Sequence, residues 1–284
     1  MKGHVVYKKG PHLGVEVEGK IYISLPRKRL KGNVFVGDFV EVEITDDRHV
    51  RILDVYERRN LLPKPKVANV DLTLVVFSLR LPDLDNLHLD AILAILEKHG
   101  IDALIVLNKS DIAPPEDRER WKFIYTNAGY DVITISAITG EGLDTLKDRI
   151  AGKTVVLAGP SGAGKTSLIK ALMPDLNLKV GRIGRHGRGR HTTTDITLIR
   201  TPFGGYVCDT PGFAKVEISH FVDRRELPRL YREFGRFPCK FSDCTHLHEP
   251  GCGVLAHISE EPGYIHPERY RTYKLLMRKL GAIR

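Results

Sequence analysis

Residues 154–172 read Thr-Val-Val-Leu-Ala-Gly-Pro-Ser-Gly-Ala-Gly-Lys-Thr-Ser-Leu-Ile-Lys-Ala-Leu, and this stretch decides the fold. A short apolar run leads into a glycine-rich loop, and a segment of helical periodicity follows. The loop has the spacing G-x4-G-K-[ST], written out as Gly159-Pro160-Ser161-Gly162-Ala163-Gly164-Lys165-Thr166. Glycines at these positions let backbone N–H groups surround phosphate oxygens at the positive end of the following helix. The stretch therefore predicts the strand, phosphate loop and helix of a nucleotide-binding α/β domain.

Two side chains of this motif have predicted roles in binding the nucleotide. Lys165 is placed to reach the β- and γ-phosphate oxygens, and the Thr166 hydroxyl is placed to ligate Mg²⁺. Ser167 begins the helix and completes the predicted phosphate site. The motif indicates a bound phosphate but does not identify the base.

A second motif identifies the base. Asn108-Lys109-Ser110-Asp111 follows an apolar run and so lies at the carboxyl end of a strand, where open α/β sheets bind ligands. The Asp111 carboxylate can accept both donors on one edge of guanine, a pair that adenine does not offer. Asn108 would connect the loops, the Lys109 stem would cover the base, and the backbone of Ser136-Ala137 would meet the guanine oxygen. We therefore predict a guanine nucleotide.

Two later segments fit the γ-phosphate end of the same site. Asp209-Thr210-Pro211-Gly212 follows a strand and supplies Asp209 for water-mediated contact with Mg²⁺ and the Gly212 amide for the γ-phosphate. Residues 182–194 are rich in glycine and arginine and end in three threonines. We predict that Thr193 ligates Mg²⁺ and so couples this loop to the γ-phosphate, with Thr192 and Thr194 as alternatives.

The residue after Gly212 bears on catalysis. Enzymes of the Ras type have a glutamine there that orients the attacking water, whereas this chain has Phe213. His191 is the best local candidate to hydrogen-bond that water near neutral pH, and we predict it as the catalytic residue. The alternative is a structural or RNA-facing histidine.

The motifs stand in an unusual order along the chain. In ordinary GTPases the phosphate loop comes first, but here residues 108–111 and 136–137 precede it. The same site can still form, because a site depends on geometry rather than on chain order. The segment at Asp209 then leads directly into the C-terminal part of the chain.

The 284 residues are enough for two or three domains. Residues 1–62 contain five short runs of period-two alternation, which predict a small closed barrel such as an OB-fold or, alternatively, another small antiparallel sheet. Residues 63–66, Pro-Lys-Pro-Lys, predict a stiff, charged linker. Residues 63–217 alternate apolar strands, including one at Ile196 to Ile199, with helices, as in a mainly parallel sheet. Residues 218–284 predict a mainly α, zinc-binding domain with a basic terminal helix.

Three of the four cysteines lie close together late in the chain. The pattern Cys239-x4-Cys244-x-His246-x5-Cys252 supplies three thiolates and an imidazole, which suit a closed structural Zn²⁺ site. Zinc would stabilise a segment that has little apolar core of its own. His248 is the alternative nitrogen ligand, and Cys208, in an apolar strand, is predicted to be a core residue.

Charge and hydropathy restrict the partners. The net charge is +9, and basic clusters occur at residues 27–29, 182–190, 224–225 and 269–279. Beside an OB-type barrel these clusters favour contact with RNA. The chain has no apolar run of about 18 residues and its N-terminus has no apolar signal core, so we expect a cytoplasmic protein without a membrane segment. We also expect a monomer.

The permuted order, the predicted barrel, the run Gly189-Arg190-His191-Thr192-Thr193-Thr194 and the cysteine pattern together resemble one family over nearly the whole chain. It is the RsgA (YjeQ) family of circularly permuted bacterial GTPases that depend on the small ribosomal subunit. The resemblance implies OB, GTPase and zinc domains, GTP hydrolysis stimulated by that subunit, binding to its rRNA, and a late role in its maturation. It also implies a catalytic histidine at His191 and zinc ligands at Cys239, Cys244, His246 and Cys252.

Two other classes of protein remain as alternatives. One is a P-loop ATPase or small-molecule kinase, which the carboxylate of Asp111 disfavours. The other is an RNA-binding module that uses GTP for stability and has no stimulated turnover.

Overall fold

The computed structural model describes residues 1–26, 30, 32–174, 196–209 and 216–281. Three parts follow one another along the chain: a β-barrel, an α/β domain and a helical C-terminal region. The fold class predicted from the sequence is therefore confirmed. Among the described residues, no helix combines the length and the hydropathy that a membrane span requires.

The N-terminal part is a five-stranded barrel. Its antiparallel sheet has the order β3-β2-β1-β4-β5, with strands β1 (Lys2–Lys9), β2 (His12–Val17), β3 (Lys20–Ser24), β4 (Phe39–Ile44) and β5 (Val50–Val55). A parallel bridge between Ile23 and His49 joins the two ends of this sheet, so the circuit closes as in an OB-type barrel. Alternate residues point inward and are buried, among them Val5, Val15 and Val40.

Residues 61–68 form a short hairpin, whereas the sequence predicted a linker at residues 63–66. Strands β6 (Leu61–Pro63) and β7 (Lys66–Ala68) pair antiparallel across the turn. Leu62 and Val67 are fully buried, and the Ala68 N–H donates to the Val36 carbonyl of the barrel region at 2.8 Å. The linker prediction was wrong because these two apolar side chains, which flank the prolines, pack the segment against its neighbours.

The α/β domain is built on a mainly parallel sheet. Within the described residues the strands of this sheet are β8 (Leu72–Ser78), β9 (Ala103–Asn108), β10 (Asp131–Thr134), β11 (Thr154–Ala158), β13 (Ile199–Arg200) and β14 (Tyr206–Asp209). The domain also contains β12 (Ile196–Thr197), which lies outside this sheet. Its helices are α1 (Asn86–Lys98), α2 (Pro115–Asn127), α3 (Leu143–Ile150) and α4 (Lys165–Leu172). The sheet order is β10-β9-β8-β11-β14-β13, and its pairs are parallel except β13–β14 at the edge. Strands β8 and β9 are buried along their whole length, as expected for a sheet covered on both faces.

The strand predicted at Ile196 to Ile199 divides into two. Strand β13 joins the central sheet, whereas β12 pairs antiparallel with β1 of the barrel, with Thr197 opposite Tyr7. Between them the Leu198 N–H donates to the Val6 carbonyl at 2.7 Å. The barrel and the α/β domain are therefore connected by backbone hydrogen bonds.

The C-terminal region is helical and shares its core with the α/β domain. It contains 3₁₀ turns at Ile218–His220, Leu227–Leu230 and Arg232–Arg236, followed by α5 (Gly253–Ala256) and α6 (Pro267–Gly281). Helix α6 packs against α1, and its buried residues Tyr273 and Leu276 belong to the same hydrophobic cluster as Ile92 and Leu96 of α1.

A buried ion cluster lies between α1 and α6. The Arg269 guanidinium donates from Nε to Glu233 Oε1 at 2.7 Å, and from Nη1 to Asp90. These three side chains are at most 2% exposed. Asp90 also accepts from the Tyr125 hydroxyl at 3.0 Å and from Thr272. Burial raises the pKa of Asp90, and the guanidinium opposes that rise.

We expect Arg269→Leu to lower the free energy of unfolding by about 3–5 kcal/mol, because it leaves two buried carboxylates without their cation. The matched control is Arg271→Leu, which removes an exposed arginine from the same helix and its surface ion pair with Glu268. That change is expected to cost less than about 1 kcal/mol. Urea denaturation of the full chain measures both, and equal losses for the two variants would contradict the assignment.

Candidate functional site

The loop between β11 and α4 has the backbone conformation of a phosphate-binding loop. Gly159 and Gly164 have φ of +131° and +90°, and a Cβ on Gly159 would lie 2.0 Å from the Val76 carbonyl oxygen. Gly164 caps α4 without a side chain, so the first N–H groups of the helix face the loop. The Lys165 ammonium donates to the carbonyls of Gly159 and Pro160 at 2.8 and 2.7 Å and therefore lies within the loop. This arrangement can bind the phosphates of a nucleotide.

The side chain of Asn108 connects the phosphate loop to the two predicted guanine loops. It is 1% exposed, and its Nδ2 donates to the Ala163 carbonyl at 2.9 Å. Its Oδ1 accepts the N–H groups of Lys109 at 2.8 Å and Ala137 at 3.2 Å. A single amide thus joins three loops that come from separate parts of the sequence.

The predicted base-reading residues lie together on these loops. The Ser136 hydroxyl donates to Asp111 Oδ1 at 2.6 Å, which leaves the other carboxylate oxygen free of this bond. Lys109 has a left-handed backbone, with φ of +64°, and its ammonium donates to the Leu81 carbonyl. Its aliphatic stem therefore extends from the guanine loop toward the loop that follows β8. Ser110 is fully buried beside Asp111.

The remaining predicted nucleotide contacts divide into two groups. Thr166 and Ser167 lie in the first turn of α4, and Asp209 ends β14 opposite Leu157, two residues before the phosphate loop. His191, Thr193 and Gly212 lie outside the described residues. The roles of all these residues in binding stay predictions.

The four predicted metal ligands form one compact cluster. The ligand atoms of Cys239, Cys244, His246 and Cys252 all lie within 4.8 Å of one another. Cys239 Sγ is 3.7 Å from Cys252 Sγ, and His246 Nδ1 is 3.4 Å from each of these two sulfurs. A tetrahedron with metal–sulfur bonds of about 2.3 Å and a metal–nitrogen bond of about 2.0 Å has sulfur–sulfur edges of roughly 3.8 Å and sulfur–nitrogen edges of roughly 3.5 Å. The cluster therefore fits a tetrahedral metal ion.

Backbone and side-chain hydrogen bonds hold the cluster in this form. The N–H groups of Gly253 and Leu255 donate to the sulfurs of Cys239 and Cys252 at 3.3 and 3.4 Å. Burial acts to raise the pKa of Cys239, but backbone N–H donors from residues 253–254 outweigh it and lower that pKa. Burial raises the pKa of Cys244 to about 12.

An acidic residue that was not predicted from the sequence orders the loop between Cys244 and Cys252. Glu249 accepts the N–H groups of Thr245 at 2.8 Å, Leu247 at 3.0 Å and His248 at 3.1 Å, and also the Thr245 hydroxyl. Burial acts to raise its pKa, but these bonds outweigh burial and hold the pKa well below the usual range. The only sequence signal was an acid within the ligand spacing, which indicates no partner by itself.

The sheet order and the loops define the class of protein. A phosphate loop follows the central strand β11, and the guanine loops follow β9 and β10 on one side of it. The loops that read the base precede the phosphate loop in the chain. The protein is therefore a circularly permuted P-loop GTPase.

Comparison with known proteins identifies the family. A model of the RsgA GTPase family matches residues 55–219. A "small ribosomal subunit biogenesis GTPase RsgA" from Moorella thermoacetica is 39% identical over 288 residues, covering 99% of this chain and 98% of that protein. One of the same description from Caldanaerobacter subterraneus is 38% identical and covers 86% and 83%. This chain belongs to the RsgA GTPase family.

Solved structures agree with this assignment. YjeQ from Thermotoga maritima matches with a TM-score of 0.86 and 35% identity, over 100% of this chain and 99% of that one. YloQ, described as a circularly permuted GTPase, matches with a TM-score of 0.78 and 29% identity, over 100% and 96%. A permuted order is therefore described for a solved structure that is similar to this chain along its whole length.

We expect Gly164→Ala to weaken GDP binding, because its Cβ would lie 2.3 Å from Asn108 Nδ2 and displace that side chain. A buried polar group left unpaired costs about 1–3 kcal/mol, which corresponds to about tenfold or more in affinity. The control is Gly152→Ala, where φ is also positive, at +72°, and the new Cβ meets no described atom within 4 Å. Both variants carry left-handed strain of roughly 1–2 kcal/mol, so equal GDP affinities in a titration would rule out a role for Asn108.

Proposed function

We propose that this protein hydrolyses GTP, that the small ribosomal subunit stimulates this turnover, and that the protein binds the subunit's rRNA and acts late in its maturation. The observation that carries the nucleotide assignment is the Asn108 side chain, which joins the phosphate loop to both guanine loops. The relatives described as small ribosomal subunit biogenesis GTPases support the second part. The net charge of +9 favours a polyanionic partner.

In the proposed reaction, water attacks the γ-phosphorus while the bond from phosphorus to the GDP oxygen breaks. Lys165 and the first N–H groups of α4 would hold the phosphates, and Asp111 would accept from guanine. Thr166 and Thr193 would ligate the Mg²⁺ that accompanies GTP, and that ion would supply positive charge to stabilise the transferred group. Asp209 would contact this ion through water, and the Gly212 amide would bind the γ-phosphate.

The proposed dependence of GTP turnover on a partner is based on the residue that would orient the attacking water. Phe213 stands where Ras-type enzymes have a glutamine, and we propose that His191 takes over this role. A histidine near neutral pH can accept a hydrogen bond from water through its neutral imidazole. We propose that intrinsic turnover is slow and that contact with the ribosomal subunit brings His191 into position.

We propose that the Cys239, Cys244, His246 and Cys252 cluster binds one structural Zn²⁺ ion. All four positions of the tetrahedron would be protein ligands, which leaves no place for substrate and suits a structural site. The N–H donors to sulfur support thiolate ligands. We further propose a cytoplasmic monomer that alternates between GTP-bound and GDP-bound forms, and that these two forms differ in their affinity for the small ribosomal subunit.

We expect purified small ribosomal subunits to stimulate GTP turnover of the full chain. His191→Ala should retain GTP affinity and lose stimulated turnover by about 10²-fold or more, as for a residue that positions or activates the reacting water. Phosphate release with and without subunits, at saturating GTP, measures both. Absence of stimulation in the wild type would refute the ribosomal proposal. Unchanged turnover of the variant would refute only the role of His191, and tighter binding of ATP than GTP would refute the base assignment.

We expect about one zinc ion per chain by elemental analysis of protein purified without added metal. Cys252→Ser should lose the ion and the associated stability, because it removes one of four ligands. Cys208→Ala is the control, since this fully buried cysteine lies in β14 outside the cluster and should leave the zinc content unchanged. A wild-type content well below one, or equal zinc in both variants, would contradict the proposal.

A further inference from the structure

Two serine hydroxyls connect the guanine loops in opposite directions. Ser136, on the loop after β10, donates to Asp111 Oδ1 at 2.6 Å. Ser110, on the loop after β9, donates to Glu141 Oε2 at 2.5 Å. Both serines are fully buried. The loops are therefore joined by two side-chain bonds, and each loop supplies one donor and one acceptor.

Glu141 takes part in this connection through its backbone as well. Its carbonyl accepts the Ser136 N–H at 3.0 Å, and the Ser110 N–H donates to the Ile135 carbonyl at 3.1 Å. Glu141 thus contacts both serines, one through its carbonyl and the other through its carboxylate. A displacement of Glu141 would therefore disturb both Ser110, which precedes Asp111, and Ser136, which donates to the Asp111 carboxylate.

Each oxygen of the Glu141 carboxylate faces a different protein partner. Its side chain is 51% exposed, and Arg118 Nη1 of α2 lies 3.8 Å from Oε1. Arg118 Nε also donates to the Ala113 carbonyl at 3.0 Å, just beyond the turn that contains Asp111. The other carboxylate oxygen, Oε2, is the one that accepts from Ser110. An acceptor that carries a charge makes a stronger hydrogen bond than a neutral one.

We propose that Glu141 is a positioning residue for guanine recognition. Its carboxylate holds the Ser110 hydroxyl, and so fixes the peptide between Ser110 and Asp111 at the angle at which the Asp111 carboxylate meets both donors of guanine. This inference rests on the proposed role of Asp111 in binding the base. Glu141 itself lies outside the N-K-x-D motif, in the turn before α3.

A comparison of two bases can distinguish a positioning role of Glu141 from a general effect of this residue on stability. Guanine offers a ring N–H and an exocyclic amine, whereas hypoxanthine, the base of inosine nucleotides, offers the ring N–H alone. A tilted Asp111 carboxylate loses one of two bonds to guanine but has only one to lose with hypoxanthine. Loss of orientation should therefore reduce the preference for GDP over IDP, whereas a general loss of stability would weaken both nucleotides alike.

The test compares dissociation constants of GDP and IDP for the full chain and five variants. Glu141→Ala should weaken GDP by about tenfold and IDP by much less. Ser110→Ala should do the same, and the Glu141→Ala/Ser110→Ala double variant should be no worse than either single one, since the two residues form one interaction. Glu141→Gln keeps an acceptor for Ser110 and should restore most of the preference. Glu119→Ala, which removes an exposed glutamate of α2, serves as control.

The results test the positioning role of Glu141 separately from the role of Asp111 in binding guanine. If the wild type prefers GDP but Glu141→Ala keeps that preference, or loses GDP and IDP equally, the positioning role is overturned while guanine binding stands. Additive losses in the double variant, or no recovery in Glu141→Gln, would overturn it as well. If the wild type itself does not prefer GDP over IDP, the role of Asp111 falls, and this inference falls with it. Thermal unfolding of every variant checks that it is folded.

Discussion

The structure depends on one buried cation, the Arg269 guanidinium, which lies between the carboxylates of Glu233 and Asp90. Burying three charges is unfavourable unless each is paired, so α1, α6 and the 3₁₀ turn at Arg232–Arg236 must keep a fixed relation to one another. On the same helix, the hydroxyls of Tyr270, which follows Arg269, and Tyr273, one turn further along, donate to the carbonyls of His246 and Thr245 in the loop of the Cys/His cluster. At the start of α1, the preceding loop contacts the phosphate loop through Pro82, whose ring is close to Gly162. The metal and nucleotide sites are thus connected through two packed helices.

The permuted order of the motifs brings the nucleotide site close in sequence to segments that contact the other parts of the molecule. The strand that ends at Asp209 is followed in the chain by the C-terminal region, and β12 pairs with the barrel. Of the segments that would contact the γ-phosphate, residues 191–193 precede β12, which pairs with the barrel, and residues 209–212 precede the C-terminal region. A change in those segments on hydrolysis would act on the barrel and on the C-terminal region directly, as in other switches built on γ-phosphate contacts. This is the physical basis for proposing that the nucleotide state controls binding to the ribosomal subunit.

The sequence predicted those parts of the molecule that local patterns determine. The bounds of β11 and α4 follow from their period and their flanking glycines, and the grouping of Cys239, Cys244, His246 and Cys252 follows from their spacing. The hairpin at residues 61–68 was not predictable in this way, because its strands have three residues each and are stabilised by burial of Leu62 and Val67. The partners of Arg269 and Glu141 were also beyond prediction, since Asp90 lies 179 residues from Arg269 and Ser110 lies 31 residues from Glu141. A charged residue on a helix, such as Arg269, or in a turn, such as Glu141, gives no sign in the sequence of such a distant partner.

The central claim is that the nucleotide state sets the affinity for the small ribosomal subunit. Co-sedimentation of the full chain with purified small subunits, in GDP, in a non-hydrolysable GTP analogue and without nucleotide, tests it most directly. We expect the fraction bound to subunits to differ clearly between the GTP analogue and GDP, and to decrease with rising salt, as for contacts to a phosphate backbone. Equal binding under all three nucleotide conditions would contradict it.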